Sequence, residues 1–162
     1  PLYHALAPGR GYTLWSASGD VRVYVQAASS QAGITLALVP FRLEEVPGAE
    51  VGSLVLGHAF ILIAEDGKGQ RPSGLERAAI LEVFFSPEDL SRGGGHPENL
   101  YLAYWDAELG VWQALETRSW WEPGRGVLQA ESARLGLFAV LATVPLEVPP
   151  TGGELWAGKP SR

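Results

Sequence analysis

Cysteine and methionine are absent from this chain of 162 residues, and asparagine occurs only at Asn99. Without cysteine there is no disulfide framework, no thiolate metal site and no cysteine nucleophile. The scarcity of thermolabile residues, with ten Arg against two Lys, is typical of a protein from a thermophile. A GC-rich genome produces the same bias, so the sequence leaves both explanations open.

A positive net charge and long apolar runs are also absent. The formal net charge is −6 and the isoelectric point is near 5.0, which argues against nucleic acid as a partner, because binding a phosphate backbone requires a basic surface. No apolar run approaches the roughly 18 residues of a transmembrane helix. Because the chain does not begin with Met, we expect either a chain processed by removal of a signal peptide or one shortened at its N-terminus.

Two apolar, aromatic-rich runs around a short polar break form the strongest pattern in the chain. They span residues 100–106 and 111–115, and the break runs from Asp106 to Gly110. β-branched and aromatic side chains suit a half-buried sheet surface, while Asp and Gly accept the backbone angles of a tight turn. The pattern predicts a β-hairpin, which we expect to be the central hairpin of an all-β domain.

Similar short apolar segments, separated by turn residues, recur along the chain. Val21, Val23 and Val25 alternate with larger or polar residues, which places the three valines on one face of a strand. Ser86 followed by Pro87 predicts one short helical turn. The fold class is therefore all-β, an antiparallel β-sandwich of about seven to nine strands. The other predicted strands span residues 12–15, 34–39, 60–64, 78–85, 127–130 and 137–142.

Extended terminal segments flank the predicted sandwich. We divide the chain into an N-terminal extended segment, residues 1–8, the β-sandwich domain, residues 9–142, and a Pro/Gly-rich C-terminal tail, residues 143–162. Extended apolar ends can add a strand to the open edge of a neighbouring sheet. Residues 148–152 also resemble a sortase sorting signal, with a plain proline-rich tail as the alternative interpretation.

No combination of histidines and carboxylates predicts a catalytic or metal site. His4, His58 and His96 lie in separate segments without metal-ligand spacing, so each is interpreted as a lone surface or turn residue. The adjacent pairs Glu44–Glu45 and Glu88–Asp89 point apart on an extended chain and are interpreted as solvated loop charges.

Other familiar site motifs are incomplete. Asp66 to Gly69 supplies one carboxylate where calcium needs several oxygen ligands, so it is interpreted as a hairpin turn. Gly93 to Gly95 lacks the Lys and Ser or Thr of a phosphate cradle and is interpreted as a flexible loop. No serine lies in a nucleophile elbow. We therefore expect neither a cofactor nor enzymatic activity.

The six tryptophans supply much apolar surface. We expect Trp105, Trp112 and one of the adjacent pair Trp120 and Trp121 to belong to the core. Neighbouring residues on a regular strand face opposite ways, so the other member of the pair is expected to be exposed or covered by a partner. An exposed Trp can stack on a sugar ring or fill a pocket in another subunit.

The order of strands and aromatic residues resembles the ZU domain, a β-sandwich named for zona occludens and netrin-receptor proteins. This resemblance implies a secreted or surface-anchored bacterial β-sandwich. It is carried by residues 11–25, 34–40, 60–66, 100–106, 112–115 and 138–141.

Some members of that family cleave themselves at a His-Phe-Ser step before the last strand. The corresponding residues here are Arg134, Leu135 and Gly136. Glycine has no nucleophile and arginine does not act as a general base, so we expect no autoproteolysis.

Two functions fit these features. The first is an extracellular structural protein whose subunits self-assemble by strand exchange into a filament or surface layer, with other copies of itself as partners. The alternative is a surface module that binds carbohydrate or protein through an exposed Trp120 or Trp121 and the Gly93–Gly95 loop. The residues expected at the assembly interface are Leu2, Tyr3, Trp120, Trp121, Val144, Leu146, Val148, Leu155 and Trp156.

Overall fold

The computed structural model describes residues 3–5, 10–26 and 34–144. This part of the chain forms eleven β-strands, one short α-helix and two single 3-10 turns, at Leu43–Glu45 and Pro97–Asn99. The helix, α1, spans Pro87–Arg92. The strands are β1 (Tyr3–Ala5), β2 (Tyr12–Trp15), β3 (Val21–Val25), β4 (Thr35–Pro40), β5 (Ser53–Glu65), β6 (Gly74–Phe85), β7 (Leu100–Asp106), β8 (Val111–Ala114), β9 (Thr117–Glu122), β10 (Arg125–Arg134) and β11 (Gly136–Thr143).

The strands form two antiparallel sheets that share one hydrophobic core. The six-stranded sheet has the order β1-β4-β5-β11-β7-β8, and the five-stranded sheet has the order β2-β3-β6-β10-β9. The predicted β-sandwich is confirmed. The prediction undercounted the strands because β1 is only three residues long and β9 begins with the polar residues Thr117, Arg118 and Ser119.

Alternating side chains build the core from both sheets. Val21, Val23 and Val25 are all buried, as their spacing predicts. Phe60, an inward residue of β5, stacks on Phe138 with the ring centroids 5.3 Å apart. The apolar run around Phe60 is thus an inner strand of the sandwich, paired with β4 on one side and β11 on the other.

The predicted hairpin of β7 and β8 is present, and its turn is held by Asp106. The Oδ1 atom of Asp106 accepts hydrogen bonds from the backbone N–H groups of Glu108 and Leu109 at 3.0 and 3.1 Å. Gly110 has the positive φ of 67° that closes the turn. The hairpin is not central, however, because β8 is an edge strand of the six-stranded sheet.

The expectation that Trp105 and Trp112 belong to the core is wrong for the main core. These two residues pair across β7 and β8 on the outer side of the edge hairpin, and their rings meet edge to face at 5.4 Å. Both are only partly buried, and the Trp112 indole donates a hydrogen bond of 3.0 Å to the carbonyl of Pro47. Trp112 also packs against a small second cluster of buried residues, Ala103, Ala139 and Leu141.

The short helix α1 begins with the predicted cap. Ser86 Oγ accepts a hydrogen bond of 3.1 Å from Asp89 N, and Asp89 Oδ2 accepts one of 2.9 Å from Ser86 N. These reciprocal bonds form a capping box. In the described residues no helix is long and apolar enough to cross a membrane.

The interpretation of Gly93 to Gly95 as a flexible loop needs correction. Gly93 is buried and ends α1, with its N–H donating to the Asp89 carbonyl at 3.0 Å. A Cβ atom at Gly93 would lie 2.6 Å from Leu100 Cδ2 and 3.2 Å from Leu56 Cδ1. Glycine is needed here because the helix end packs directly on the six-stranded sheet.

Candidate functional site

The outward face of the five-stranded sheet carries a row of paired side chains that crosses every strand. Trp15 pairs with Arg22, Arg22 with Glu82, Glu82 with Gln129, and Gln129 with Arg118. Directly paired residues in an antiparallel sheet project from the same face. We call these five residues the polar row, and the sheet surface that carries them the open face.

Hydrogen bonds to a buried carboxylate fix the centre of the polar row. Arg22 Nε donates to Glu82 Oε1 at 2.6 Å, and Gln129 Nε2 donates to Glu82 Oε2 at 3.0 Å. Glu82 is only 8% exposed, so its charge depends on these two partners. The result is a rigid set of planar polar groups in the middle of the sheet.

Two aromatic rings are exposed beside this centre. Trp15 is 48% exposed and Tyr24 is 41% exposed. Trp15 stacks on Phe84 at a centroid distance of 5.8 Å, and the Arg22 guanidinium lies 5.1 Å from the Trp15 ring. Tyr24 packs over Gly11, where a Cβ atom would overlap its hydroxyl group. Both rings are therefore supported from one side while they remain accessible to a ligand.

Two shallow grooves meet on the open face. They share Gln129 and have the dimensions of small-molecule sites. The first groove has a volume of about 470 Å³ and is lined by Thr13, Trp15, Arg22, Tyr24, Ile80, Glu82 and Gln129. The second has a volume of about 360 Å³ and is lined by Glu116, Arg118, Gln129, Ala130 and Glu131.

A second polar cluster lies at one end of the sandwich, around His58. Its Nδ1 atom is 2.7 Å from Asp20 Oδ2, and its Nε2 atom is 2.8 Å from Asp89 Oδ2. Asp20 precedes β3 and Asp89 belongs to α1, whereas His58 lies in β5. We call Asp20, His58 and Asp89 the His58 cluster.

The backbone of β5 is irregular where it presents His58. The register of β5 against β11 shifts on both sides of Val140. Gly57 and His58 have positive φ values of 130° and 52°, and irregularities of this kind redirect a side chain. His58 thereby reaches two carboxylates that its sequence neighbours do not contact.

The three ionisable groups of the cluster favour their charged forms. Burial acts to lower the pKa of His58, but the hydrogen bonds and charges of Asp20 and Asp89 outweigh it and raise that pKa. The hydrogen bond from His58 lowers the pKa of Asp20 far below its usual range. For Asp89, burial acts to raise the pKa, and the hydrogen bonds from Ser86 and His58 bring it below its ordinary value.

The interpretations of His58 as a lone residue and of Asp89 as a solvated charge are therefore wrong. Their side chains are 17% and 15% exposed and are ion-paired. A general base needs a free nitrogen, and both ring nitrogens of His58 face a carboxylate. The carboxylates lie on opposite sides of the ring, and in residues 3–5, 10–26 and 34–144 no group of His, Cys, Asp and Glu is arranged to hold a metal ion.

Trp120 and Trp121 face opposite sides of the five-stranded sheet, as expected for neighbours on a strand. Trp120 pairs with Val127 on the open face, and its indole lies 3.4 Å from Glu122 Oε1. It is partly exposed and is not a core residue. Trp121 lies on the other side, is 46% exposed and packs edge to face on Phe85 at 5.1 Å.

The remaining residues of the expected interface do not converge. Tyr3 lies in β1, paired with Ala37 at one edge of the six-stranded sheet. Val144 follows β11, and its N–H donates to the Gly52 carbonyl at 2.9 Å. Tyr3 belongs to the six-stranded sheet and Val144 directly follows one of its strands, whereas Trp120 lies in β9 of the five-stranded sheet. Leu2, Leu146, Val148, Leu155 and Trp156 lie outside the described residues.

Sequence reasoning did not identify the polar row as a site. Arg22 and Glu82 are 60 residues apart, and Glu82 and Gln129 are 47 apart, so no spacing motif links them. The sequence does carry one signal for the open face. Arg22 and Tyr24 alternate with the three inward valines of β3, so their side chains face outward.

Comparison with known proteins does not assign the chain to a family. No model of a protein family matches the chain, and neither does any curated protein. The resemblance to the ZU domain and the expected lack of autoproteolysis stay predictions.

Proposed function

We propose that the protein is a non-catalytic, extracellular module that binds carbohydrate on the open face of its five-stranded sheet. The observation that carries this proposal is the placement of two exposed aromatic rings, Trp15 and Tyr24, beside the fixed centre of the polar row. An aromatic ring offers a flat surface to the C–H face of a sugar. Planar polar groups nearby can hydrogen-bond the hydroxyls at its rim.

The distribution of charge favours a sugar over a protein as the ligand. The core of a protein interface is usually depleted of charged residues. On the open face the central positions are occupied by Arg22 and Glu82, already paired with each other. Such a centre is suited to a ligand that both donates and accepts many hydrogen bonds, and a carbohydrate has hydroxyl groups that do both.

The decisive experiment compares two tryptophans of almost equal exposure. Trp15 is on the open face, and Trp121 is on the opposite side of the sheet. The full chain is tested for retention on insoluble cellulose, chitin, xylan, β-1,3-glucan and peptidoglycan. We expect Trp15→Ala to abolish retention on the polysaccharide that the wild type binds, while Trp121→Ala binds it as well as the wild type does.

Circular dichroism of both variants verifies that they are folded. Retention of Trp15→Ala at the wild-type level would contradict the proposed site. Equal loss in both variants would show that the effect is not specific to the open face. If the wild type binds none of the five polysaccharides, the result would count against the carbohydrate function.

A second candidate function is self-assembly through terminal segments, as the sequence analysis expects. The observation that favours it is β1, a strand of three residues that pairs with β4 at the sheet edge. A strand this short makes few contacts with the sheet edge that it covers. A strand from another copy of the chain can therefore pair with the same edge. In such an assembly, a strand equivalent to β1, which contains Tyr3, would pair with the sheet of a neighbouring subunit.

Electron microscopy and light scattering test the assembly proposal. We expect filaments or sheets of the full chain, and loss of them when residues 1–8 or residues 143–162 are deleted. Monodisperse monomers of the full chain at all concentrations would contradict it. The carbohydrate proposal does not depend on this outcome.

A further inference from the structure

We infer that the ligand of the open face is an uncharged, chain-like oligosaccharide that lies across the strands from Trp15 to Arg118. This inference rests on the proposed carbohydrate function and adds the ligand's length, direction and charge. Its basis is the juxtaposition of the two grooves, which meet at Gln129 and together extend along the polar row.

The length of the row sets the length of the ligand. The polar row crosses from β2 to β9, the two edges of the five-stranded sheet. Neighbouring strands are about 4.8 Å apart, so four strand spacings correspond to roughly 19 Å. One sugar ring covers only a fraction of that distance. A chain of several rings is needed to contact both Trp15 and Arg118.

The charges at the far end select an uncharged chain. The second groove is lined by one guanidinium, Arg118, and two carboxylates, Glu116 and Glu131. All three side chains are exposed, and within the described residues none of them forms an ion pair. A polyanion would be repelled by the two carboxylates. Hydroxyl groups can donate to Glu116 and Glu131 and accept from Arg118.

The two ends of the row have different tasks. Every bound ligand stacks one of its sugar rings on Trp15. Arg118 is reached only by a ligand that extends past Gln129. Replacement of Trp15 is therefore expected to weaken every ligand. Replacement of Arg118 is expected to weaken most strongly the ligands that are long enough to enter the second groove.

Isothermal titration calorimetry of the full chain tests this difference. The probes are β-1,4-, β-1,3- and α-1,4-linked gluco-oligosaccharides from monosaccharide to hexasaccharide, with polygalacturonate as the anionic comparison. For one of the three linkages, we expect the hexasaccharide to bind at least about tenfold more tightly than the shortest ligand that binds. A tenfold difference in affinity corresponds to about 1.4 kcal/mol. Arg118→Ala should remove that rise, and an Arg118→Ala variant that keeps the full rise would contradict the inference.

Each outcome separates this inference from the function on which it rests. Binding that requires Trp15 but is the same for short and long ligands would overturn the inference and leave the carbohydrate function standing. Tighter binding of polygalacturonate than of the neutral chains would contradict the inference that the ligand is uncharged. If none of these probes and none of the insoluble polysaccharides binds, both proposals fall.

Discussion

His58 and Asp20 join the two sheets of the sandwich. The imidazole Nδ1 of His58, in the six-stranded sheet, lies 2.7 Å from Asp20 Oδ2. Asp20 is in turn fixed to the five-stranded sheet, because its carbonyl accepts a hydrogen bond of 2.8 Å from Phe84 N. The ion pair therefore spans the sandwich at the end where α1 packs.

Stability is expected to decrease on both sides of a pH window set by this cluster. The pKa of His58 is raised above its ordinary value of 6.5, so its contribution is complete below pH 6.5 and is lost as pH rises through the folded-state pKa. The pKa values of Asp20 and Asp89 are lowered from 3.8. Their contribution is complete above pH 3.8 and is lost as pH falls through the lowered values.

Urea unfolding between acidic and alkaline pH measures this window. Arg92 also faces the cluster, with Nη1 3.7 Å from Asp89 Oδ1, but arginine keeps its charge throughout the range. The alkaline decrease should therefore be assigned to His58. A free energy of unfolding that is constant from pH 6 to 9 would contradict a charged His58 in the folded protein.

Replacing His58 by asparagine isolates its charge. Asn tolerates the positive φ of 52° at this position, so backbone strain does not confuse the result. We expect His58→Asn to lower the free energy of unfolding by about 2 kcal/mol near neutral pH, between the values for exposed and fully buried ion pairs. It should also remove the alkaline decrease in stability.

His96→Asn is the matched control for this change. The His96 side chain is 67% exposed and lies 3.5 Å from the exposed Glu98. Exposed pairs contribute about 1 kcal/mol or less. Equal destabilisation by the two substitutions would show that His58 contributes no more than a surface histidine.

The parts of the fold that the sequence predicts are those decided by near neighbours. Alternation decides which way Val21, Val23 and Val25 point, and Ser86 with Pro87 starts α1 through contacts within one turn. The His58 cluster was missed because its members are 38 and 31 residues apart. Its ion pairs arise only when the sheets stack.

The location of the aromatic residues shows the same limit. The sequence predicts that Trp120 and Trp121 face opposite ways, and this is confirmed. It does not predict which sheet face remains open, because that depends on strand order. Strand order places Trp15, and not the adjacent pair Trp120 and Trp121, beside the centre of the polar row.

Gly11→Ala is expected to reduce carbohydrate binding without touching the ligand. A Cβ at Gly11 would overlap the hydroxyl of Tyr24, which is 41% exposed and free to swing aside. Displacement of this ring should lower affinity as much as Tyr24→Ala does. In a double-mutant cycle, adding Gly11→Ala to Tyr24→Ala should cause no further loss, and an additive loss would contradict the coupling.

Gly126→Ala is expected to destabilise the fold through the core. Gly126 pairs with Phe85, and a Cβ at Gly126 would overlap the Phe85 ring, which is 1% exposed and cannot move away. Overpacking of this kind costs about 1–3 kcal/mol. The matched control is Gly48→Ala, where no atom lies within 4 Å of the added Cβ, so its stability should be equal or slightly higher. Urea unfolding of the two variants measures the difference, and equal stability would mean that Phe85 has an alternative position in the core.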